Sequence, residues 1–552
     1  MKLEAITLTN TSNIFESPFS EYNADILDDL KIKKYWVSPL VQSKLDDHFH
    51  SQEGTVFLVG PRGSGKTMIL KYYSYGVQML LEEDKRIDAV GVYVKCDKIA
   101  IKDMTLDNEN EERLFSNYIV LFIINALLSV IETGIRNMSI SNHEIKSLID
   151  ELNQNRYFEN IHSIELIKER VVNLIEKIQA AKKRGYYSNC CYEDENFIDD
   201  IDLFGFMIEK IKMKVGMFSS KKILVMLEQY EDYNSKQQRV IRKIIKKWHE
   251  KKVYFRISSR LSNKNLNKEC DFNTPRENIK EIDLLEDIHY EDIKTLLKNI
   301  SNGYLEKSEY FEGKSNNIED YLGNSINYYS PKKDDNKNQK LEDVFAAYLK
   351  SSKETNQKKR VYTGFELIAQ LCQCNIRLFI NICNNIFMRI YYKDQSFHNI
   401  KLPFNEMIQS DGVVEEVYKS FESFRHIEKY GKEIINLVIN LGMVIEHYQL
   451  LNSNNLVGLG KIEFENIDNL GLPILMCCNK WGILHYKDKC YVSDESLAAI
   501  FGYSPFISDN YRLVVNLNSI NIFKEYDKLN YNDFNIKYLN DYNTLAYIME
   551  GK

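Results

Sequence analysis

No two cysteines stand in CxxC spacing, and no cysteine–histidine set is spaced for zinc. The ten cysteines, with Cys190-Cys191, Cys477-Cys478 and the Cys372/Cys374 pair among them, read as reduced thiols of a cytoplasmic protein. The ten histidines include no HExxH, which removes the metal-hydrolase pattern carried by that spacing. The opening MKLEAITLTN has neither a basic start nor an apolar core, so it is not a secretory signal. Basic charge is also in deficit, with 72 Lys and Arg against 79 Asp and Glu, a net −7. That excludes a surface built wholly for nucleic acid while leaving room for a local basic patch. Long apolar runs are absent but for one, from Leu114 to Ile131. Ser116, Asn117, Asn125 and Ser129 interrupt it and no second span follows, so it reads as a buried helix and no membrane partner is expected.

What is present centres on Thr55 to Tyr73, TVFLVGPRGSGKTMILKYY. Val56 to Val59 is a short apolar run, too brief for a helix, and predicts a buried strand. Gly60, Pro61, Arg62, Gly63, Ser64, Gly65, Lys66 and Thr67 then fit G-x-x-x-x-G-K-[ST] at every defined position. Glycines without a Cβ let backbone N–H groups turn inward around phosphate oxygens. Lys66 supplies a point charge for the β- and γ-phosphates, and the Thr67 hydroxyl is placed to ligate Mg²⁺. The helix expected from Met68 points its positive end at the same anion. ATP and Mg²⁺ are the cofactors this stretch calls for.

At 552 residues, two to four domains are expected. Ahead of the loop, Trp36 and Val37 are candidate adenine contacts, or plain packing, and Val41 to His50 predicts a short helix. Ala89 to Cys96 is a second buried strand, which makes a strand–helix–strand unit of a parallel sheet. Residues 140–187 are charged and glycine-poor. They predict a helical insertion with Ile164, Ile167, Val171, Leu174 and Ile175 as its apolar stripe.

Lys222 to Leu227 is the next apolar strand, and acids follow it. Its place after the P-loop is that of a Walker B strand, where a carboxylate serves Mg²⁺ and the next residue polarises the attacking water. Glu228 holds the metal position, one methylene longer than the usual Asp. Gln229 holds the base position, and an amide cannot take a proton at neutral pH. Glu231, two residues on, is the alternative base. Residues 237–252 predict an amphipathic helix with Arg239, Arg242, Lys243, Lys246 and Lys247 on its outer face, either simply solvated or set against an anionic partner. Val253 to Arg260 is another strand. Ser258 or Ser259 at its end suits a γ-phosphate sensor. Arg260, with Arg256 as the weaker candidate, serves a neighbouring subunit's nucleotide or a local acid.

Further on, 284–302 reads as helix, and 306–341 is a polar stretch without apolar period, expected to be a long loop or link. Leu341 to Tyr348 resumes helix. Arg377 opens a helix with Leu378, Ile382 and Ile386 in the core. It is placed either to reach a γ-phosphate or to act structurally. Beyond 400, an apolar helix from Glu433 to Tyr448, a second from Leu472 to Asn479, a hairpin turning at Lys487 to Lys489 and a short helix capped by Ser493 suggest a winged-helix module. Such modules bind DNA or dock proteins.

GPRGSGKTMILKYYSY at 60–75, the Leu227 to Tyr233 run, Arg256-Ile-Ser-Ser-Arg260 and Asn375-Ile376-Arg377 together resemble initiator-type AAA+ ATPases, the origin-recognition and Cdc-type loaders. Closer still is the resemblance to prokaryotic relatives found with mobile elements and antiphage systems. The resemblance implies a sensor-2 role for Arg377 in an α-helical lid, and a winged helix after the lid. The departure is Glu228-Gln229 where the family has Asp-Glu, which leaves nucleotide binding in place and puts turnover in question. The expected architecture is a three-layer α/β P-loop core over 1–285 with a helical insertion at about 105–218. A lid over 286–400 and a winged-helix-like domain over 401–552 follow. The expected function is an ATP-binding switch with slow or altered hydrolysis, self-associating or acting on an effector protein, with antiviral defence as one setting. A DNA-engaging loader, a STAND-like oligomerising sensor and a non-hydrolysing scaffold stand as alternatives.

Overall fold

A computed structural model describes most of residues 17–183, 200–260, 279–323 and 362–438, and beyond them the elements within 461–465, 471–493, 511–516, 536–540 and 543–548. The chain divides into two compact units, one of Ala24–Asp292 and one of Ile293–Lys552 together with Met1–Asn23.

The first unit is built on a parallel sheet. It opens with α1 (Asp29–Tyr35) and α2 (Gln42–His50), then β1 (Thr55–Val59), α3 (Lys66–Tyr72) and β2 (Ala89–Val94). Four longer helices follow, α4 (Glu109–Arg136), α5 (Asn142–Leu152), α6 (Ile164–Lys183) and α7 (Asp200–Lys214), then one helical turn at Gly216–Ser219, before β3 (Lys222–Leu227). Then come α8 (Ser235–His249), β4 (Val253–Ser259) and β5 (Ile279–Asp283). The strand order is β2-β3-β4-β1-β5, and every pairing is parallel. Parallel strands are covered on both faces, which is why β1 and β3 read as unbroken apolar runs. Their side chains divide by alternation. Phe57, Val59, Ile223, Val225 and Leu227 enter one core with α4 and α8, while Val56, Leu58, Leu224 and Met226 enter another with α2 and α3. The result is a three-layer α/β core. The apolar run of α4 is a core helix, with 78% of its most apolar window buried. The stripe on α6 packs as its spacing demands, with Ile164, Ile167, Val171 and Ile175 buried and Leu174 partly so.

The second unit holds most of α9 (Tyr290–Glu306), then α10 (Phe365–Cys372), α11 (Ile376–Asp394) and α12 (Glu406–Arg425). Here the expectation of an unstructured 306–341 is corrected at its start. Glu309–Phe311 and Ile318–Leu322 form short helical turns, and Phe311, Ile318, Tyr321 and Leu322 are buried. Phe311 and Tyr321 each lie 5.5 Å from the Phe387 ring of α11, so aromatic contacts organise a stretch that lacks apolar period. A boundary at 400 would also divide a packed helix pair. Asn381 and Asn385 of α11 donate to the two oxygens of Glu416 on α12 at 2.6 and 3.1 Å. Gly412 lets the helices approach: a Cβ there would meet the Ile386 Cγ1 at 2.5 Å and its backbone N at 3.2 Å.

Residues 431–438 are helical with Ile434, Leu437 and Val438 buried, and the rest of the helix expected to Tyr448 lies outside the described residues, as do 341–348 and the turn capped by Ser493. Then follow β6 (Lys461–Glu465), α13 (Gly471–Trp481), β7 (Leu484–Lys487) and β8 (Cys490–Ser493). The hairpin β7–β8 is antiparallel with Lys487 opposite Cys490. Three more strands, β9 (Tyr511–Asn516), β10 (Ile536–Asn540) and β11 (Asn543–Ile548), extend the sheet to β11-β10-β9-β6-β8-β7. The hairpin therefore forms one edge of a six-stranded sheet, and three more strands follow it in the chain.

Candidate nucleotide site

In a parallel α/β sheet, ligands gather at the carboxyl ends of the strands. Here β1 runs into the glycine-rich loop, β3 is followed at once by Glu228, and β4 ends in Ser258 and Ser259. The register puts Leu58 beside Ser258 and Val59 beside Ser259, so the ends of β1 and β4 are level.

The loop is fixed at its root. The Gly60 N–H donates to the Ser259 carbonyl at 3.2 Å, and the Leu284 N–H donates to the Val59 carbonyl at 2.8 Å. Gly63 and Gly65 have φ of +87° and +89°, the left-handed region that a Cβ disfavours. A Cβ on Gly60 would come within 2.8 Å of Ser64 Oγ and 3.1 Å of Leu284 Cβ. The Lys66 ammonium turns back over the loop, donating to the carbonyls of Gly60 at 2.7 Å and Pro61 at 2.8 Å. Ser64 Oγ is buried without a hydrogen-bond partner. Gly65 caps α3 with no side-chain hydrogen bond. Arg62 is exposed, while Met68 packs against Leu27, Ile32 and Val77. A cation on neutral carbonyls, an orphaned hydroxyl and an uncapped helix start fit a phosphate chain.

A second group of side chains is set by α3 and the end of β3. The Glu228 N–H reaches the Val94 carbonyl at 3.4 Å, and the residue is 5% exposed. Burial holds its carboxyl above the usual carboxylate range, and the neighbouring Thr67 hydroxyl and Tyr93 phenol offset part of the rise. Neither neighbour makes a hydrogen bond of ordinary geometry, for both Glu228 oxygens are buried without a partner. A buried, unpaired carboxylate beside a threonine hydroxyl suits Mg²⁺. That ion keeps several waters and takes one or two carboxylates together with substrate phosphates.

Gln229 stands at φ 56°, ψ 51°, a left-handed conformation uncommon outside glycine, and opens the tight turn Tyr230–Asp232. Its N–H donates to Ser258 Oγ at 2.9 Å, so the candidate sensor serine braces the turn after β3. Glu231 is engaged elsewhere. Its carboxylate pairs with Arg260 Nε at 2.9 Å and accepts from the Arg260 N–H at 3.3 Å, with side-chain exposures of 2% and 12%. Of the two partners open to Arg260 from sequence, the structure holds the local acid. Arg256 is removed from any nucleotide by burial. Its Nη1 donates to the Gly54 and Phe255 carbonyls at 2.9 and 3.0 Å, and desolvation pulls its pKa to about 9. The Trp36 ring lies flat on Tyr72, centroids 3.8 Å apart, so packing accounts for it. Arg377 belongs to the other unit, where its Nη2 donates to Asn23 Oδ1 at 3.1 Å.

Sequence reasoning missed three residues of this neighbourhood. Lys71 Nζ donates to the carbonyls of Ala24, Asp25 and Leu27 at 2.7, 3.1 and 2.9 Å, which ties the leader to α3. Lys95 pairs with Asp25 at 3.3 Å. Tyr93 lies in an apolar strand and read as core; its hydroxyl on a strand ending near the site was the available signal.

Sheet, loop and acid-ended strand define a P-loop ATPase core of the AAA+ class. The ORC-CDC6-like family model matches residues 17–345 and 272–490, and the chain belongs to that family of initiator-type AAA+ ATPases. Origin recognition complex subunit 4 of Xenopus laevis is 31% identical over 97 residues, 16% of this chain and 22% of that protein, so the match spans less than a quarter of that relative. A crystal structure of Cdc6p from Pyrobaculum aerophilum is similar at 10% identity and a TM-score of 0.30, over 86% of this chain and 98% of that one.

Proposed function

We propose that this chain is a cytoplasmic ATP-binding switch that holds Mg²⁺-nucleotide and hydrolyses it slowly. One observation carries the reading. At the position of the water-activating base stands a neutral amide, Gln229, and the nearby Glu231 is committed to Arg260. Gln229 orients water without accepting its proton. The residues assigned to binding are Gly60 to Met68, with Lys66 on the β- and γ-phosphates, Thr67 and Glu228 on Mg²⁺, and Ser258 as sensor through its bond to the Gln229 backbone. When bound, Mg²⁺ supplies charge neutralisation at the phosphates. The state so held would be read by further copies of the chain or by an effector protein, and an antiphage setting remains part of the proposal. The 401–552 region, with its hairpin, is proposed as the docking module in winged-helix fashion.

The first test is Lys66→Ala. Without the ammonium, a charge-assisted contact worth roughly 1.5–3 kcal/mol is lost, so ATP affinity falls about 10- to 100-fold. Equal affinities of variant and wild type in a filter-binding assay would remove the P-loop assignment.

A second reading, DNA engagement, is favoured by α8. Lys236, Arg239, Arg242, Lys243, Lys246 and Lys247 lie on it and no acid does. Its apolar side, Val240, Ile241, Ile244, Ile245 and Trp248, is buried, while Arg239, Lys243, Lys246 and Lys247 are exposed. The test is duplex binding across a salt series. Each phosphate contact contributes about −0.9 to the slope of log K against log salt. Arg239→Glu with Lys246→Glu should flatten the slope by about two contacts. A slope near zero in the wild type excludes this reading.

A further inference from the structure

Tyr93 and Glu228 share one face of the sheet. In the parallel pair β2–β3, Tyr93 stands opposite Met226, and partners in register point the same way. Glu228 lies two residues beyond Met226, on that same face. It is the face that α3 covers, because Met226 and Leu224 share a core with Ile69, Leu70 and Tyr73, and Tyr93 packs at the edge of that core. The Tyr93 ring is also held from above. Lys71 Nζ sits 5.6 Å from its centroid, fixed there by three backbone carbonyls. At the tip of this ring the phenol oxygen is buried without a hydrogen-bond partner. Both oxygens of Glu228 are in the same condition. A donor and an acceptor, each orphaned and each buried, therefore stand side by side against Thr67. Leaving such groups unsatisfied is costly, and a positioned pair of this kind marks a site completed by a further group.

We propose that Tyr93 is a positioning residue of the metal half of the nucleotide site. With Mg²⁺ bound, its phenol would donate to one Glu228 oxygen and leave the other to serve the ion together with Thr67. The extra methylene of Glu228 makes this support necessary. A glutamate has one more rotatable bond than the usual aspartate, and fixing it costs side-chain entropy. A rigid phenol beside it selects one orientation, as outer partners of metal-binding carboxylates do. The inference rests on the proposed nucleotide site and adds to it a residue that the P-loop and Walker B patterns do not include.

The experiment measures binding of a fluorescent ATP analogue to the full chain in Mg²⁺ and in EDTA. The variants are Tyr93→Phe, Glu228→Gln and the double variant. Wild type should bind more tightly in Mg²⁺. Tyr93→Phe should lose about 10-fold of that Mg²⁺-dependent tightening, the lower end of what removing an outer partner costs in metal affinity. Its affinity in EDTA should stay at the wild-type value, which a merely structural role would not predict. In the Glu228→Gln background, Tyr93→Phe should cost nothing further. Equal loss in Mg²⁺ and EDTA, an unchanged Mg²⁺ effect, or additive losses in the double variant each overturn the proposal. If wild type itself gains nothing from Mg²⁺, the metal assignment of Glu228 falls and takes this inference with it. If only Tyr93→Phe is silent, the site reading stands and Tyr93 is packing.

Discussion

Glu228 is a carboxylate held out of water with no cation beside it in hydrogen-bonding contact. Its folded pKa is raised by burial, so protonation is favoured by folding. The sign follows: this residue's contribution to stability is greatest below its unfolded pKa and declines as pH rises through the raised folded pKa. Glu228→Gln should therefore stabilise the nucleotide-free protein at neutral pH, by about 1 kcal/mol or more, the scale of an unsatisfied buried polar group. Thermal melts from pH 4 to 8 check it: the gap between variant and wild type should widen with pH. A constant gap would place the carboxylate in water. At the next residue, Gln229→Glu should raise ATP turnover about 10-fold or more, since proton transfer contributes about 10²–10⁴-fold. Glu231→Gln separates the rival base. Breaking the nearly buried pair with Arg260 should cost stability, up to about 3–5 kcal/mol, and leave turnover unchanged. If Glu231→Gln abolishes turnover and Gln229→Glu is silent, Glu231 is the base. The amide at 229 was legible in the chain because the strand before it fixed the position. The commitment of Glu231 was not, because its partner is 29 residues away, just past the end of the neighbouring strand.

At the scale of elements, the site is a product of three strand ends and one loop. β1, β3 and β4 announced themselves as short apolar runs because a parallel sheet buries both faces. The loop announced itself through Gly60 and Gly65 at fixed spacing with Lys66 and Thr67 directly after, and of those two glycines Gly65 is the one at positive φ. The stretch 306–341 misled for the opposite reason. Phe311, Ile318, Tyr321 and Leu322 are too irregularly spaced for a periodic signal, and the partners that bury two of them, Phe387 and Phe404, come more than 60 residues later. Likewise the α11–α12 pairing rests on Glu416 and Gly412, neither of which looks like core in sequence. Arg377 near the start of α11 carries the element-scale test. If it senses the γ-phosphate, as the family resemblance implies, Arg377→Ala should reduce discrimination between ATP and ADP by about 10-fold, the value of one charge-assisted bond, with ADP affinity nearly unchanged. Matching losses for both nucleotides would assign Arg377 to its bond with Asn23 alone.

At the scale of the whole molecule, the family membership and the site make separate claims. The ORC-CDC6-like assignment covers residues 17–490 in two overlapping matches and identifies an AAA+ ATPase. Glu228-Gln229 stands where the family resemblance implies Asp-Glu, and on the proposed reading that pair sets how long nucleotide is held. A core that binds ATP but lacks a free carboxylate base should fill and stay filled. Its output then depends on how long nucleotide persists, and less on how fast it cycles. The most direct measurement loads the purified chain with radiolabelled ATP and Mg²⁺ and follows bound ATP and ADP in a single turnover. A typical enzyme turns over at about 10 per second, and loss of a general base removes about 10²–10⁴-fold. Lys66-dependent bound ATP should convert to ADP at about 0.1 per second or more slowly. Conversion at about 10 per second, or no bound nucleotide at all, would contradict it.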